Sequence, residues 1–460
     1  MKSKASAPGR ARLEPPGRGL RRLYDQSVLS ANNSTHYKTV IIIYYWHMGA
    51  LKRLPCSEHL DSIIAPLSLP MMAHPMMNTS NKTESPAGQL SAPARISAVN
   101  LPALLREKDN VKRILVIKLR HFGDVLLTTP LLNTLKANYP QAKIDVLLYG
   151  GTQDMLRENK TVNHAFIVDR GLKHAGLTAQ ISGEKVLFNA LKEHHYDLIL
   201  NLSDQWRAAA YCRLLKPGFS IGFHYPKRDT WLWRYCHSTL VDIPNAAERH
   251  TVLNNLDILA PLQLTDISTE VTMAYGPHDI ERVKQLCQQR NIADYILIQP
   301  SARWKFKTWA SESFSQLINH LTEQGETVLL TGGKDKAELD YIAKIITGCA
   351  QPGKVINLSG LLALPELAVL IDNAKLFIGV DSVAMHMAAA LQTPAVVLFG
   401  PSNLNQWHPW QAPHTLLWAG HYRTLPQPNE IDTDTTDRYL NAIPVNEVIN
   451  AVDVWRTQHL

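Results

Sequence analysis

A lone carboxylate near the start of a helix is the clearest candidate for acid–base chemistry. In KLRHFGDVLL, at residues 118–127, Asp124 follows the apolar strand RILVI and opens a helix. A helix N-terminus favours the ionised form of a carboxyl group. Asp124 is therefore a candidate general base that takes a proton from an attacking hydroxyl group. An N-capping aspartate is the structural alternative, and spacing leaves both open.

Three basic or titratable side chains precede this carboxylate. Lys118, Arg120 and His121 lie where the chain leaves the strand. At the carboxyl edge of a parallel sheet such groups suit the binding of anionic groups on a substrate. Solvated neighbours of a capping residue are the alternative.

A second stretch, FIGVDSVAMHMAAALQ, places polar groups at the entrance of another helix. After the buried strand come Asp381 and Ser382, and His386 lies about one turn into the helix. A helix N-terminus with a serine hydroxyl is suited to a phosphate, and Asp381 to sugar hydroxyls. A capping Asp381 and a packed His386 explain the spacing equally well.

Two loops of the same half add to this anion-binding pattern. ILIQPSARWKFKTW carries cations after a strand, which suits a diphosphate, although solvated loop charges are the alternative. TVLLTGGKD contains a glycine pair that allows close backbone approach to a ligand, or simply a tight turn. The residues concerned are Ser301, Arg303, Lys305, Lys307, Gly332 and Gly333. Neither a GxxxxGK[ST] nor a GxGxxG sequence accompanies them, which argues against a Walker A loop and a dinucleotide oxidoreductase.

The elements that position these groups alternate along the chain. From Val111 onward, short apolar runs alternate with amphipathic stretches, which indicates parallel sheets with crossover helices. The pattern restarts after a linker at about 265–280 and ends in an amphipathic helix, PVNEVINAVDVWRTQ. We therefore predict an α/β protein with Rossmann-like domains at 111–275 and 276–460, facing each other across a cleft.

Composition narrows the class of protein. The chain has 460 residues, 45% of them hydrophobic, and a formal net charge of +7, which favours anionic partners. No apolar run approaches the ~20 residues of a membrane span. Five widely spaced cysteines predict buried free thiols in a reducing cytosol rather than a disulfide framework or a zinc site.

The first 110 residues have a different composition from the rest. They are rich in Pro, Ser, Asn and Met and lack sustained periodicity. We predict a disordered extension or a mis-assigned translation start, with Met72, Met76 or Met77 as later starts. A small accessory domain is less favoured because apolar residues are sparse.

Four segments together resemble a known family. ILVIKLRHFGDVLLTTPLL, QPSARWKFKTW, LLTGGKD and FIGVDSVAMHMAAALQTPAVVLFGPS are similar, in this order, to the ADP-heptose:lipopolysaccharide heptosyltransferases of glycosyltransferase family 9. The RHFGDVLLTTP form most resembles the heptosyltransferase III branch. The resemblance runs from about Lys112 to the C-terminus, and residues 1–110 match nothing in the family.

This resemblance implies a GT-B fold, with the acceptor bound by the first domain and ADP-heptose, a co-substrate, by the second. It implies inversion at the anomeric carbon without a cofactor or a protein-bound metal. The catalytic base of the family falls on Asp124. The donor-binding positions, by the resemblance and the loops above, are Ser301, Arg303, Lys307, Gly332, Gly333, Asp335, Asp381, Ser382, Val383 and His386.

Within that donor set the resemblance assigns some roles and leaves others open. Lys307 falls on the family's diphosphate and heptose contact, Asp381 points to heptose hydroxyls and Ser382 to phosphate. Val383 stands where some members have Gly, and Ser301-Ala302-Arg303 replaces a hydroxyl-rich pair. A carboxylate for ribose or adenine is expected at Asp335 or Glu338, without a choice between them.

Acceptor specificity is expected in the first domain. FHYPKRDTWLWRYCH combines cations with aromatic rings, a pairing suited to sugars and phosphates, with a basic surface loop as the alternative. The predicted acceptor-binding residues are Lys118, Arg120, His121, Lys227 and Arg228; Arg234 belongs to the same stretch.

The expected activity is heptose transfer to the inner-core heptose of lipid A–core lipopolysaccharide. We expect the protein in the cytoplasm, peripheral to the anionic inner face of the inner membrane. The enzymatic alternatives are heptosyltransferase I or II or a related nucleotide-sugar transferase. The non-enzymatic alternative is a nucleotide- or nucleic-acid-binding α/β protein. Nucleic acid is disfavoured because the cations lie at strand ends rather than in a stripe with interleaved aromatics.

Overall fold

A computed structural model describes Leu105 and residues 107–459, without the side chains of residues 173–174 and 458–459. The predicted extension, residues 1–110, lies almost wholly outside the described residues. Leu105, however, is only 3% exposed and packs in the core of the first lobe. The described fold therefore begins before the predicted boundary at residue 110.

Two six-stranded parallel sheets form the framework of the molecule. Most strands consist largely of apolar residues and are buried, as expected of sheets that are covered by helices on both faces. The first sheet contains β1 Arg113–Lys118, β2 Lys143–Tyr149, β3 Val162–Val168, β4 Leu198–Asn201, β5 Phe219–His224 and β6 Thr239–Asp242. The second contains β7 Ile296–Gln299, β8 Val328–Leu330, β9 Val355–Asn357, β10 Leu376–Val380, β11 Ala395–Phe399 and β12 His414–Trp418.

Both sheets have the same topology. The strand order is β3-β2-β1-β4-β5-β6 in the first and β9-β8-β7-β10-β11-β12 in the second. The order reverses beside the first strand of each half, where β1 pairs with β4 and β7 with β10. Ligands of open α/β sheets bind at the carboxyl ends of the strands at such a switch point. The predicted α/β class with two parallel-sheet lobes is confirmed.

Helices connect the strands and cover the sheets. In the first lobe they are α1 Phe122–Leu126, α2 Thr129–Asn138, α3 Leu177–Lys192, α4 Trp206–Leu214, α5 Trp231–Tyr235 and α6 Thr251–Leu256. In the second they are α7 Pro277–Gln289, α8 Ser311–Glu323, α9 Lys336–Thr347, α10 Leu364–Asp372, α11 Val383–Ala390, α12 Leu404–Trp407 and α13 Val445–His459. The predicted boundary at residue 275 lies just before α7. Within the described part of the chain, no helix is long and apolar enough to cross a membrane.

The two lobes meet through polar and apolar contacts. One hydrophobic cluster includes side chains of both lobes, such as Leu127 and Met385. Arg157 of the first lobe donates to the buried carboxylate of Asp279 at 2.6 Å. His250 stacks on Trp410 with ring centroids 4.4 Å apart. These contacts hold the carboxyl edges of the sheets in one arrangement.

Four cysteines fall among the described residues, and all are free. Cys212, Cys236 and Cys349 are buried, while Cys287 is partly exposed. Burial raises the pKa of the Cys236 thiol to about 12, so this thiol is protonated at neutral pH. The prediction of free thiols is confirmed for these four; Cys56 lies outside the described residues.

Candidate active site

The candidate residues gather where the two switch points face each other. Asp124 lies on α1, directly after β1 of the first lobe. Lys307 follows β7, and Asp381 and Ser382 follow β10, in the second lobe. An ideal Cβ on Gly123 would lie 2.9 Å from Cδ2 of His386, so α1 and α11 are nearly in contact. The structure thus brings the candidate base and the candidate anion site to one cleft.

A buried ion pair forms the centre of the second-lobe site. Lys307 donates from Nζ to Oδ2 of Asp381 at 2.6 Å, and the two side chains are only 16% and 7% exposed. Ser402, after β11, donates to the same carboxylate oxygen. Burial alone raises the pKa of Asp381, but Lys307 and Ser402 together hold it below its ordinary value. Asp381 is therefore ionised and held by two donors.

Two buried polar atoms beside this pair have no hydrogen-bond partner among the described residues. They are the hydroxyl oxygen of Ser382 and Nδ1 of His386. Ser382 precedes the first turn of α11, where backbone N–H groups and the helix dipole favour an anion. Burial lowers the pKa of His386 to about 4, so the imidazole is neutral. Both atoms can serve a ligand without losing an internal bond.

An aromatic ring lies over the cations of the loop after β7. Nζ of Lys307 is 5.1 Å and Cζ of Arg303 is 5.3 Å from the ring centroid of Trp304. Trp304 in turn stacks on the buried Phe306. The ring face thus adds a cation–π contact to each cation and restricts where they can move.

The glycine pair lies over one of the two candidate carboxylates. Ideal Cβ atoms on Gly332 and Gly333 would lie 3.1 Å and 2.6 Å from oxygens of Glu338. Glu338 also accepts a hydrogen bond from Ser301. Asp335 is exposed and its side chain makes no capping bond to α9. Of the two carboxylates left open by the sequence, Glu338 is therefore the one inside the site.

Arg303 reaches across the cleft to the first lobe. Its Nη1 lies 2.8 Å from Nδ1 and 2.7 Å from Nε2 of His121, so the guanidinium can donate to whichever ring nitrogen is unprotonated. Burial and the nearby Arg303 guanidinium lower the pKa of His121, which keeps the imidazole neutral. One predicted donor-binding residue and one predicted acceptor-binding residue thus bridge the lobes.

Asp124 lies in the first turn of α1 and faces the cleft. The N-cap residue of α1 is His121, and Oδ2 of Asp124, the third helical residue, accepts the backbone N–H of His121 at 3.3 Å. The alternative of an N-capping Asp124 is therefore wrong in position, although its carboxylate does satisfy the backbone of the N-cap residue. The Asp124 carboxylate also acts electrostatically on buried His386, opposing the lowering of that pKa by burial. A carboxylate used in this way can still accept a proton on its second oxygen.

The remaining predicted acceptor residues differ in how freely they can act. Lys118 is buried and donates to Oδ1 of Asn255 at 3.0 Å, and burial lowers its pKa. The ammonium of Lys118 is thus enclosed by the first lobe and already bonded, and its acceptor-binding role stays a prediction. Arg120 pairs with Asp204 at 2.8 Å. Arg228 donates to the main-chain oxygen of the same Asp204 at 2.7 Å.

The stretch interpreted as one acceptor loop contains more regular structure than expected. It begins in β5 and continues into α5, and only the short segment between them forms a loop. Lys227 is exposed in that segment. Arg234, on α5, pairs with Asp229 at 2.6 Å. Val383, the last predicted donor residue, begins α11 and is partly exposed.

Two further site residues escaped the sequence analysis, Ser402 and Trp304. Ser402 follows β11 at the same sheet edge as Asp381, so strand order would have indicated it. Trp304 lies between two cations that were singled out, but sequence gave no sign of its ring face. Across the described residues, no group of three or more His, Cys, Asp or Glu side chains is placed to hold a metal ion.

Comparison with known proteins finds sequences similar to this chain. The sequence profile of Glycosyltransferase family 9 (heptosyltransferase) matches residues 185–436. Lipopolysaccharide heptosyltransferase 3 of Escherichia coli is 39% identical over 336 residues, which is 73% of this chain and 96% of that protein.

Solved structures are similar in fold. A family 9 glycosyl transferase of Veillonella parvula is 21% identical with a TM-score of 0.64, covering 75% of this chain and 97% of that one. The ADP-heptose lipopolysaccharide heptosyltransferase II of E. coli is 21% identical with a TM-score of 0.61, covering 75% and 99%. The predicted GT-B fold is thereby confirmed.

The ion pair predicts an acid-dependent stability. We expect Asp381→Asn to lower the free energy of unfolding by about 3–5 kcal/mol at neutral pH, because it leaves Lys307 without its buried counter-ion. The folded-state pKa of Asp381 lies below its ordinary 3.8, so the carboxylate stabilises the fold above that pH and loses this contribution as pH falls through the lower folded value. Urea unfolding at a series of pH values measures the difference, which should shrink in acid.

A surface pair provides the control for this measurement. Lys336 and Asp340 form an ion pair whose side chains are mostly exposed. Asp340→Asn should change stability little at any pH. An Asp381→Asn difference that stayed constant into acid would contradict the assigned pairing.

Because the two lobes approach closely at Gly123, adding even a methyl group there should lower the free energy of unfolding. Replacing Gly123 by alanine raises the intrinsic stability of the helix by up to about 1 kcal/mol, because alanine has the higher helix propensity. However, the added Cβ would collide with the buried His386 ring. Overpacking of this kind costs about 1–3 kcal/mol, so we expect net destabilisation in thermal or urea unfolding. Gly353→Ala, whose Cβ would meet no atom within 4 Å, is the control and should be neutral or slightly stabilising. Equal behaviour of both variants would show that the lobes do not meet at Gly123.

Proposed function

Because the chain belongs to glycosyltransferase family 9, the heptosyltransferase family, we propose that it transfers heptose from ADP-L-glycero-D-manno-heptose to the inner-core heptose of lipopolysaccharide. The observation that carries the proposal is the similarity to lipopolysaccharide heptosyltransferase 3 along nearly the whole of that protein. Membership of a glycosyltransferase family decides against the non-enzymatic alternative. Purified protein, ADP-heptose and a core lipid lacking the side heptose provide the test.

The second lobe is proposed to bind the donor. Lys307, Arg303 and the first turn of α11 supply positive charge for the diphosphate, and Ser382 supplies a hydroxyl donor. As the bond between the anomeric carbon and ADP breaks, negative charge builds up on the departing phosphate. Lys307 and the α11 dipole stabilise that charge without rearrangement, because both are already in place.

The sugar and nucleoside parts of the donor have separate partners in this proposal. Asp381, fixed by Lys307 and Ser402, accepts hydrogen bonds from heptose hydroxyls. Glu338, beneath the glycine pair, accepts from the ribose hydroxyls. Lys307 then contacts both Asp381 and the diphosphate, which couples sugar binding to leaving-group binding. No cofactor or protein-bound metal takes part in the proposed reaction.

The first lobe is proposed to hold the acceptor and the base. The acceptor oxygen attacks the anomeric carbon on the face opposite ADP, forming the new C–O bond with inversion. Asp124 takes the proton from that hydroxyl as the bond to ADP breaks. Arg120, His121, Lys227 and Arg228 bind anionic groups of the acceptor, while Lys118 supports the loop from within through Asn255.

The proposed place of action is the cytoplasmic face of the inner membrane. The acceptor is anchored in the bilayer through lipid A, so the enzyme must work at the surface. A net charge of +7 favours contact with anionic headgroups.

Asp124→Asn separates catalysis from capping. The amide oxygen can still accept the His121 N–H bond, so we expect unfolding to change by less than about 1 kcal/mol. Since the amide cannot take a proton, kcat/KM should fall by about 10²- to 10⁴-fold. Asp340→Asn, on an exposed face of α9, is the matched control and should keep full activity. Undiminished turnover in Asp124→Asn would refute its role as the base.

A panel of truncated core acceptors separates the family's branches. We expect transfer only to acceptors that already carry the main-chain inner-core heptoses, detected as one added heptose by mass spectrometry. Transfer to a heptose-free core would indicate a heptosyltransferase I activity instead. Transfer to a core with a single heptose would indicate heptosyltransferase II.

A further inference from the structure

Helix α5 presents aromatic rings to solvent from a rigidly fixed position. The Thr230 hydroxyl accepts the N–H of Trp233 at 3.3 Å and caps the helix. Trp233 is fully buried, and its indole N–H donates to the main-chain oxygen of Phe223 at 3.0 Å. Leu232 is buried beside it. The inner side of α5 is therefore anchored, and its outer side is held in a fixed orientation.

The outer side carries large apolar groups that water does not favour. Trp231 is 72% exposed and Tyr235 is 37% exposed. The two residues are one helical turn apart, and their ring centroids are separated by 6.4 Å. Two large rings side by side on the surface make a contiguous apolar patch, and such patches are candidates for interaction sites.

Cations flank the two rings. Arg213, on α4, donates to the Tyr235 hydroxyl at 2.8 Å, and its Cζ lies 4.4 Å from that ring centroid. Arg234, 60% exposed, lies on the same short helix as Trp231 and pairs with Asp229. Residues 213–242 contain five lysines and arginines but two aspartates, so this part of the lobe is positive. We call Arg213, Trp231, Arg234 and Tyr235 the Trp231 surface.

This combination fits an anionic bilayer surface in particular. Trp and Tyr have an apolar body and a polar end, and they concentrate at the level of lipid headgroups. Each Lys or Arg near an anionic leaflet adds electrostatic attraction. The Trp231 surface carries two such rings and two guanidinium groups. It can therefore supply both the apolar contact and the electrostatic attraction.

The buried side of helix α5 is joined by packed side chains to the candidate acceptor site. Asp204 accepts from Arg120, next to the proposed base, and from Arg228, in the segment that leads into α5. Arg228 also lies over Trp206, which packs on Trp233. The position of α5 is therefore fixed relative to the predicted acceptor residues Arg120 and Arg228.

We propose that the Trp231 surface docks the first lobe on the anionic headgroups of the bilayer that carries the acceptor. This docking rests on the proposed function, because the enzyme has to bind the bilayer only if its acceptor is anchored there. Trp231 and Tyr235 enter the headgroup layer, and Arg213 and Arg234 pair with lipid phosphates.

Vesicle flotation with the full chain tests the docking. We expect the protein to float with phosphatidylcholine vesicles that contain phosphatidylglycerol, to bind pure phosphatidylcholine more weakly, and to dissociate as salt is added. Each arginine contributes about fivefold to such binding. Adding the lost apolar contact, Trp231→Ser with Arg234→Gln should weaken binding roughly twentyfold.

A matched double variant controls for apolar area and charge. Val454 on α13 is half exposed, and Arg290 after α7 is exposed. Val454→Ser with Arg290→Gln should bind vesicles like the unmodified protein. Unfolding curves check that both double variants remain folded. Single variants at Trp231 and at Arg234 that each lose part of the binding extend the test if the double variant unfolds.

Transfer to a deacylated, water-soluble core acceptor distinguishes docking from acceptor recognition. We expect the Trp231→Ser, Arg234→Gln change to weaken vesicle binding far more than it lowers kcat/KM on this soluble acceptor. Unchanged vesicle binding would overturn the proposal. A raised KM for the soluble acceptor with vesicle binding intact would make the surface a sugar subsite. A fall in oligomeric mass in the variant would make it a contact between copies.

The docking proposal and the proposed function fail in different ways. Vesicle binding through the Trp231 surface without any heptose transfer by the unmodified protein would overturn the function alone. Transfer to the soluble acceptor by a protein that ignores anionic vesicles would overturn the docking alone.

Discussion

The buried ion pair between Lys307 and Asp381 is the interaction on which the second-lobe site depends. An ammonium or a carboxylate enclosed to this degree is unfavourable alone, and each is tolerated because the other is 2.6 Å away. The pair also joins separate elements, since Lys307 follows β7, Asp381 follows β10, and Ser402 follows β11. The central strands of the second sheet must therefore be in register before the site exists.

The first lobe repeats this arrangement with different groups. Its sheet has the same strand order, and Asp124 follows β1 as Lys307 follows β7. Placing both switch points in one cleft requires the backbones of α1 and α11 to come close. Gly123 permits this, since even a methyl group there would meet the His386 ring. Gly123 thus allows the two helices to approach closely, and the adjacent Asp124 supplies a carboxylate at their contact.

The framework could be predicted from the sequence because buried parallel strands are continuous apolar runs. The strands β5, β6 and β12 are not such runs, because they include Gly, Ser, Thr or His among their apolar residues. The site could be predicted only to the level of loops. Which side chains of those loops are buried and which are exposed could not be predicted. In the structure Lys118 is enclosed, and Glu338 rather than Asp335 lies beneath the glycine pair. Periodicity does not report which side of a loop a residue faces.

The two cations of the donor loop differ in what they would give up to a diphosphate. Lys307 already neutralises a carboxylate, so a phosphate must share it with Asp381. Arg303 is held by His121, whose pKa is lowered by burial and by Arg303 itself, so its partner is neutral. Replacing a neutral imidazole by an anionic oxygen adds an attraction between opposite charges, because the guanidinium is ionised in both contacts and only the new partner carries a negative charge. Arg303 therefore gains more electrostatic attraction than Lys307 from an arriving anion. If it moves to that anion, it releases His121 on the acceptor side of the cleft.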